Sequence, residues 1–391
     1  MIGDRGGDAG VPETGGIYRR LGVEPIINGR STFTILGGSL MPPAVLDAMR
    51  QAADSFVDLS ELEEAVGRRL ADLTHNEAAF VSGGAAAGLF LGAAAAMARD
   101  TEDGVLRLAD LGSLPREFVI HQAHRVPYDL AIEQAGGRLV VIGRAGQPDE
   151  GELVDVLGAA TAAIVYVPKA HLAQDVLPLD LVVEHARTLG IPVIVDAAAQ
   201  LPPVENLWRF TRSGADVALF SGGKALCGPA SSGLVVGSAR FIERMARNAY
   251  PLQGLGRPMK VGKEDMVGLL AAVEWYLELD HEALTREYEM SVDYLVRWAR
   301  RRVDVTVARE ALGEAGQPTP RAHVSLRHGT GQDRDELLAS LRATPPRIDL
   351  LADPDRGFYV APETLRPGEE KVIARRLADL LEAARPPITD D

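Results

Sequence analysis

The sequence has a single cysteine, Cys227, in 391 residues. No intrachain disulfide can form, and a reducing compartment, the cytoplasm, is the expectation. Positive charge is also short: 41 Lys and Arg face 55 Asp and Glu, for a formal net charge of −14. No run of basic residues offsets this, so a nucleic-acid partner is not expected, because the phosphate backbone is repelled unless positive charge clusters. The longest apolar tract, residues 85–98, is mostly Ala and Gly. It is too short and too weakly hydrophobic to span a bilayer, and no membrane partner is expected. The first twenty residues lack the apolar core of a signal peptide and read as a loose arm. With one cysteine there is no Cys-x-x-Cys pair and no His/Cys cluster beyond His121 and His124, and a metal site is not expected. The spacings of the dinucleotide fingerprint and the P-loop are absent as well.

What is present is 46% apolar residues, 40 Gly and 24 Pro, with only 5% aromatics. That composition suits a globular chain with one large core or two moderate ones, many tight turns and closely packed Ala-rich helices. From residue 78 onward, seven short apolar, mostly β-branched runs alternate with helix-like stretches, at 78–82, 117–121, 138–143, 162–167, 192–196, 216–221 and 233–238. This is the pattern of a mostly parallel sheet covered on both faces. Crossover helices are expected at 85–98, 128–134, 150–159, 179–189 and 207–212. The last two runs, joined by a Gly-rich turn, are candidates for a hairpin. A long amphipathic helix is expected over 262–279, with Met266, Leu269, Leu270, Val273 and Leu277 on one face. Beyond residue 281 the strict alternation stops. There the sequence predicts helices at 284–302 and 368–384 and strands at 303–307, 323–327, 348–351 and 358–361. The division that follows is an arm and lead-in segment at 1–50, a large α/β domain at 51–280 and a small α+β domain at 281–391.

The chemistry concentrates at predicted strand ends. Lys224 follows the apolar run ending at Ser221, flanked by Gly222, Gly223 and Ala225. A lysine that forms a covalent bond to a carbonyl needs a rigid mount, space for a bulky partner and partial desolvation, and small neighbours provide the space. Twenty-eight residues earlier, the run 192–195 ends in Asp196, followed by Ala197 and Ala198. A strand-end Asp commonly caps a helix. In an open parallel sheet, however, ligands bind where strands end, and one lysine plus one carboxylate are what pyridoxal phosphate requires: a Schiff-base partner and an acid that keeps the pyridine nitrogen protonated. Ser82, Gly83 and Gly84 lead from a strand into the Ala-rich helix, where backbone N–H groups and the helix N-terminus converge on an anion site. His124, in the loop after 117–121, is the candidate to stack on the cofactor ring.

Several motifs recur together: Gly22-Val23 to Ile27-Asn28, Leu36 to Ser39, Ser82 to Ala86, Val195 to Ala198, Ser221 to Lys224, and Gly256 to Glu264. In this order, over residues 17–384, the sequence resembles the selenocysteine synthase-like branch of fold-type-I pyridoxal phosphate-dependent enzymes, and within it the D-glucosaminate-6-phosphate ammonia-lyase-like group. The resemblance implies a homodimer or larger assembly with sites at subunit interfaces. It makes Lys224 the Schiff-base lysine and Asp196 the pyridinium partner. Ser82, Gly83, Gly84 and Ser221 become phosphate ligands, and His124 the stacking residue. Ala198 and Gly254 join the cofactor-binding positions, and Arg257 and Lys260 become candidates for anion contacts. The transfer RNA region expected at the N-terminus of bacterial selenocysteine synthase has no counterpart in this reading. Arg30 stands where a small residue is expected in the sugar-acid lyases; Arg30, Arg257 and Arg366 are the candidates for binding the substrate.

The expected activity is a lyase acting on a small amino acid: Lys224 removes the Cα proton, the β-substituent leaves to give an aminoacrylate, and its hydrolysis gives a keto acid and ammonia. A racemase or epimerase and an aldolase use the same lysine and carboxylate and stay open at this stage. So does a protein that binds the cofactor without turnover.

Overall fold

The structure is a computed structural model that describes residues 16–144, 147–327, 333–355 and 357–384. Contacts within the chain divide it into two units, one of residues 32–281 and 312–319, the other of residues 1–31, 282–311 and 320–391. Residues 32–50, grouped with the arm by sequence, thus fall in the larger unit. Most of the arm, 1–15, lies outside the described residues, and from Gly16 the chain is ordered as a short helix.

The chain begins with α1 (Gly16–Arg20) and β1 (Ile26–Asn28), both in the smaller unit. The larger unit opens with two helices that precede the first expected strand, α2 (Pro43–Ala53) and α3 (Leu59–Leu73). Proline at the first position starts α2, and the Asp58 side chain caps α3 by accepting from the N–H groups of Ser60 and Glu61. The alternation then runs β2 (Ala78–Ser82), α4 (Ala85–Met97), β3 (Glu117–His121), α5 (Leu130–Gln134), β4 (Arg138–Ile142), α6 (Glu150–Val156), β5 (Thr161–Tyr166), α7 (Leu179–Thr188), β6 (Val193–Asp196), α8 (Asn206–Arg212) and β7 (Val217–Ser221). It closes with β8 (Gly233–Gly237), α9 (Ala239–Arg247) and α10 (Lys263–Glu278).

The seven strands form one sheet in the order β2-β8-β7-β6-β5-β3-β4. Only β8 is antiparallel, pairing with β7 through the expected hairpin and with β2 on its other side. The α/β class with a seven-stranded, mostly parallel sheet is therefore the observed one. Both faces of the sheet are apolar, and each carries its own core cluster. Helix α4 is buried nearly all round, with Ala93 to Ala96 fully inaccessible. Its small side chains let it lie close on the sheet: a Cβ on Gly92 would stand 3.5 Å from Ile194. In α10 the buried face contains Met266, Leu269 and Val273 as expected, together with Gly268, Ala272 and Tyr276. Leu270 and Leu277 are only partly buried. Gly268 is there because a Cβ would press on Met49 of α2 and Pro229. Helix α10 packs chiefly on α2 and α3.

The smaller unit contains most of α11 (His281–Ala299), then β9 (Val305–Glu310), β10 (Arg321–Leu326), α12 (Arg334–Ala343), β11 (Arg347–Asp349), β12 (Leu351–Ala352), β13 (Gly357–Val360) and α13 (Glu369–Ala383). Helix α12 is an addition to the expected elements. Its apolar positions are few, but Asp333 caps it and Leu337 and Leu341 seal it into a third core cluster. Four strands form an antiparallel sheet, while β11 leaves it to pair in parallel with β1. The 348–351 run therefore splits between two sheets. Among the described residues no helix is long and apolar enough to cross a membrane.

Candidate active site

Six of the seven strands run the same way, so the segments after β2, β3, β5, β6 and β7 leave one edge of the sheet. Asp196 ends β6, and its register partner on β7 is Leu219, two residues before Ser221. Asp196 is 7% exposed as a residue, and its carboxylate accepts the Ala198 N–H at 3.1 Å. Burial pushes the Asp196 carboxyl up from its usual range, opposed by that N–H and by the positive charges of Lys224 and Lys169.

Lys224 is half-buried in the turn after β7, and this turn is tightly braced. Gly222 donates to the Ser232 carbonyl at 2.9 Å, Gly228 donates to the Gly222 carbonyl at 2.7 Å, and Cys227 donates to the Lys224 carbonyl at 2.9 Å. A Cβ on Gly223 would lie 2.6 Å from Ala230 Cα, so the glycine is required by close backbone approach. Burial pushes the Cys227 thiol up, away from the reactive thiolate.

Ser82 ends β2 and is fully buried. Its hydroxyl faces the carbonyls of Gly84 at 2.9 Å and Gly233 at 3.3 Å, so its one proton is committed to the backbone. The 13-residue α4 starts at this turn, where Gly84 takes a φ of +100° and donates its N–H to the Ser82 carbonyl at 2.8 Å. The Ser82 side chain thus braces the turn that leads into α4. Gly233 must be glycine, because a Cβ would come within 2.5 Å of the Gly84 carbonyl carbon. Ser221 is half-buried at the end of β7, its N–H on the Ala198 carbonyl at 3.3 Å.

His124 is completely buried, edge-on to Tyr166 at 4.4 Å and to His121 at 5.5 Å. Burial and the neighbouring His121 and Lys169 push its imidazolium down to about 3. It is neutral at working pH. Both ring nitrogens of His124, and both of His121, are buried without a hydrogen-bond partner among the described residues. Buried polar atoms left in this state cost free energy unless an outside group completes them.

Sequence reasoning passed over Lys169. It lies three residues beyond β5, its ammonium donating to the Ala123 carbonyl at 3.4 Å beside His124. Burial pushes Lys169 down, while Asp196 and Glu314 hold it up. The signal was available: Lys169 follows the fully buried run of β5 just as Lys224 follows that of β7.

The remaining candidates have contacts of their own. Gly254 packs on Asn248, where a Cβ would be 2.5 Å from the Asn248 Cα, which accounts for the glycine by turn geometry. Arg257 stacks on the Tyr250 ring at 4.9 Å, and Lys260 is exposed, although its carbonyl lies near Gly83. Arg30 belongs to the smaller unit and pairs with the buried Asp349 at 3.4 Å. Arg366 is exposed in the turn before α13, its N–H on Glu369.

A half-buried lysine, a buried strand-end carboxylate, a glycine turn at a helix N-terminus and an unsatisfied neutral imidazole on one sheet edge form a donor set that fits pyridoxal phosphate. The L-seryl-tRNA selenium transferase family model matches residues 27–291. The chain belongs to this family. It is a pyridoxal phosphate-dependent enzyme of the selenium transferase family, as its fold and homologues agree. Within the family it is 34% identical to a Streptomyces 5'-C-glycyluridine monooxygenase-decarboxylase, over 93% of this chain and 92% of that one. It is 32% identical to the D-glucosaminate-6-phosphate ammonia lyase of Salmonella typhimurium, over 95% and 99% respectively. A solved structure of D-glucosaminate-6-phosphate ammonia-lyase superposes with a TM-score of 0.81 at 31% identity, covering 95% of this chain and 99% of that one.

Proposed function

We propose that this selenium transferase family member is a pyridoxal phosphate-dependent ammonia lyase acting on a small amino acid that bears a leaving group at Cβ. The observation that carries the reading is the placement of Asp196 and Lys224 after adjacent parallel strands, with opposite charges that act on each other. The bound cofactor supplies an electron sink for charge that develops at the substrate Cα. Asp196 holds a proton on the ring nitrogen, which keeps that sink strong. Lys224 is the residue that would hold the cofactor, and its Nζ, when free, is the base that would take the Cα proton. Gly83, Gly84 and the α4 N-terminus bind the phosphate, and neutral His124 packs on the ring. Lys169 attracts the substrate carboxylate to the same edge.

A small substrate agrees with the net charge of −14, which disfavours transfer RNA. The assembly in this reading is a homodimer or larger, and the compartment is the cytoplasm. Light scattering that returns a monomer at working concentration overturns the assembly.

The test presents D- and L-amino acids, with and without β-hydroxyl and phosphate groups, to the loaded enzyme and follows keto acid and ammonia. Equal release of both from at least one β-substituted substrate is the expected result. Exchange of the Cα hydrogen with solvent deuterium without keto acid would make the enzyme a racemase or epimerase. Release of carbon dioxide with consumption of oxygen would move it toward the monooxygenase-decarboxylase relative. Either outcome sinks the lyase assignment.

A further inference from the structure

Residues 312–319 lie between β9 and β10 in sequence and belong to the larger unit. Gln317, 8% exposed, braces this loop from within. Its side-chain carbonyl accepts the Ala315 N–H at 3.0 Å, and its backbone carbonyl accepts those of Gly313 at 2.8 Å and Thr319 at 2.7 Å. The side chain of Gln200, four residues past Asp196, donates to the Ala315 carbonyl at 3.0 Å. Gln200 is itself fixed, its N–H on the Ala197 carbonyl at 2.9 Å and its own carbonyl accepting from the Asn206 side chain at 2.5 Å. Gly316, at a φ of +83°, comes so close to the chain after Lys169 that a Cβ would stand 2.9 Å from the Ala170 nitrogen. The loop therefore spans the segments that follow the paired parallel strands β5 and β6, on the edge that bears Asp196.

This placement adds a charged group to that edge. Glu314 is half-buried, and its carboxylate has no hydrogen bond or ion pair among the described residues. Its negative charge acts on Lys169. A carboxylate partly withdrawn from water and given no donor favours a ligand that brings one. A fixed negative charge also raises the energy of any further anionic group beside it, and such repulsion is a common source of selectivity.

We propose that Glu314 is a specificity-determining residue of this site: it accepts a hydrogen bond from an N–H or O–H donor on the side chain of the amino-acid substrate and disfavours a second carboxylate or a phosphoryl group there. The inference rests on the reading in which the substrate's own carboxylate is drawn to Lys169.

The test uses three amino acids of similar length without a leaving group at Cβ, so that binding is read without elimination: ornithine, glutamine and glutamate, each as the D and L isomer. Titration into the cofactor-loaded protein, followed by cofactor absorbance, gives the dissociation constants. Glutamine and ornithine should bind about tenfold or more tighter than glutamate of the same configuration, the usual effect of one charged hydrogen bond. Glu314→Gln should remove most of that preference, Glu314→Lys should reverse it, and Glu314→Asp should keep its direction. Cofactor loading and thermal midpoint should not change in Glu314→Gln, because the side chain braces nothing. Lys169→Met should weaken all three ligands and leave their ratios nearly as they were. An unchanged glutamine-to-glutamate ratio in Glu314→Gln overturns the proposal while leaving the role of Lys169 standing. Unchanged binding of all three in Lys169→Met overturns the role of Lys169, and the ratio in Glu314→Gln still decides that of Glu314. Absence of binding by all three at high millimolar concentration overturns both.

Discussion

Ser39 holds the carbonyl of Gly223 with both its backbone N–H, at 2.9 Å, and its hydroxyl, at 3.0 Å. The residue next to Lys224 is thereby anchored to a segment 184 positions away in sequence. Gly38, at a φ of +78°, brings the two backbones together, and a Cβ there would overlap the Gly223 carbonyl oxygen. Gly38→Ala should therefore lower stability by about 2 kcal/mol and loosen the Lys224 turn. Differential scanning calorimetry and cofactor absorbance check this, and a variant with the parent's midpoint and full loading would contradict it.

Lys224→Ala should abolish the absorbance of lysine-bound cofactor and reduce kcat by roughly 10³-fold or more. Asp196→Asn should keep that absorbance and reduce kcat by roughly 100-fold, because an amide cannot stabilise a protonated ring nitrogen. The two defects separate covalent attachment from electronic activation, and titration of each apo-variant with cofactor measures the first without turnover.

His124 titrates in the direction opposite to a paired histidine. Its folded value is about 3 against an ordinary 6.5, so the native state binds fewer protons than the unfolded chain between those values. The stabilisation is present above pH 6.5 and is lost as pH falls toward 3, by roughly 1.4 kcal/mol per pH unit. His124→Phe retains the aromatic packing on Tyr166 and should flatten that dependence. Denaturant unfolding at pH 7, 6, 5 and 4 would show it, and parallel curves for both proteins would refute the assignment.

Lys169→Met should raise KM for the amino acid by about 10-fold or more while changing kcat less, since its role is attraction of the carboxylate. Lys169→Arg should recover part of the loss. A fall in kcat at constant KM would instead place Lys169 on the reacting atoms.

Much of the larger unit was legible in the sequence, because each buried parallel strand is a short apolar run, and those runs are recognisable without long-range information. Helices α2 and α3 were not, since they precede the first strand and α2 packs chiefly on α10, some two hundred residues later. Nor did the 348–351 run reveal that it divides between two sheets, because both partners are distant in sequence.

At the site, the sequence alone determined that Lys224 and Asp196 follow apolar runs and have small neighbours, since close approach of backbone to a bulky group selects Gly and Ala locally. Tertiary structure decided that the Ser82 hydroxyl faces the backbone, that Arg30 pairs with Asp349, and that Lys169 joins Asp196 and His124. It also laid the 312–319 loop against Ala170, next to Lys169. Charge and hydrogen-bond partners are fixed by distance in space, and for these residues that distance is set by strand order and helix packing rather than by sequence separation.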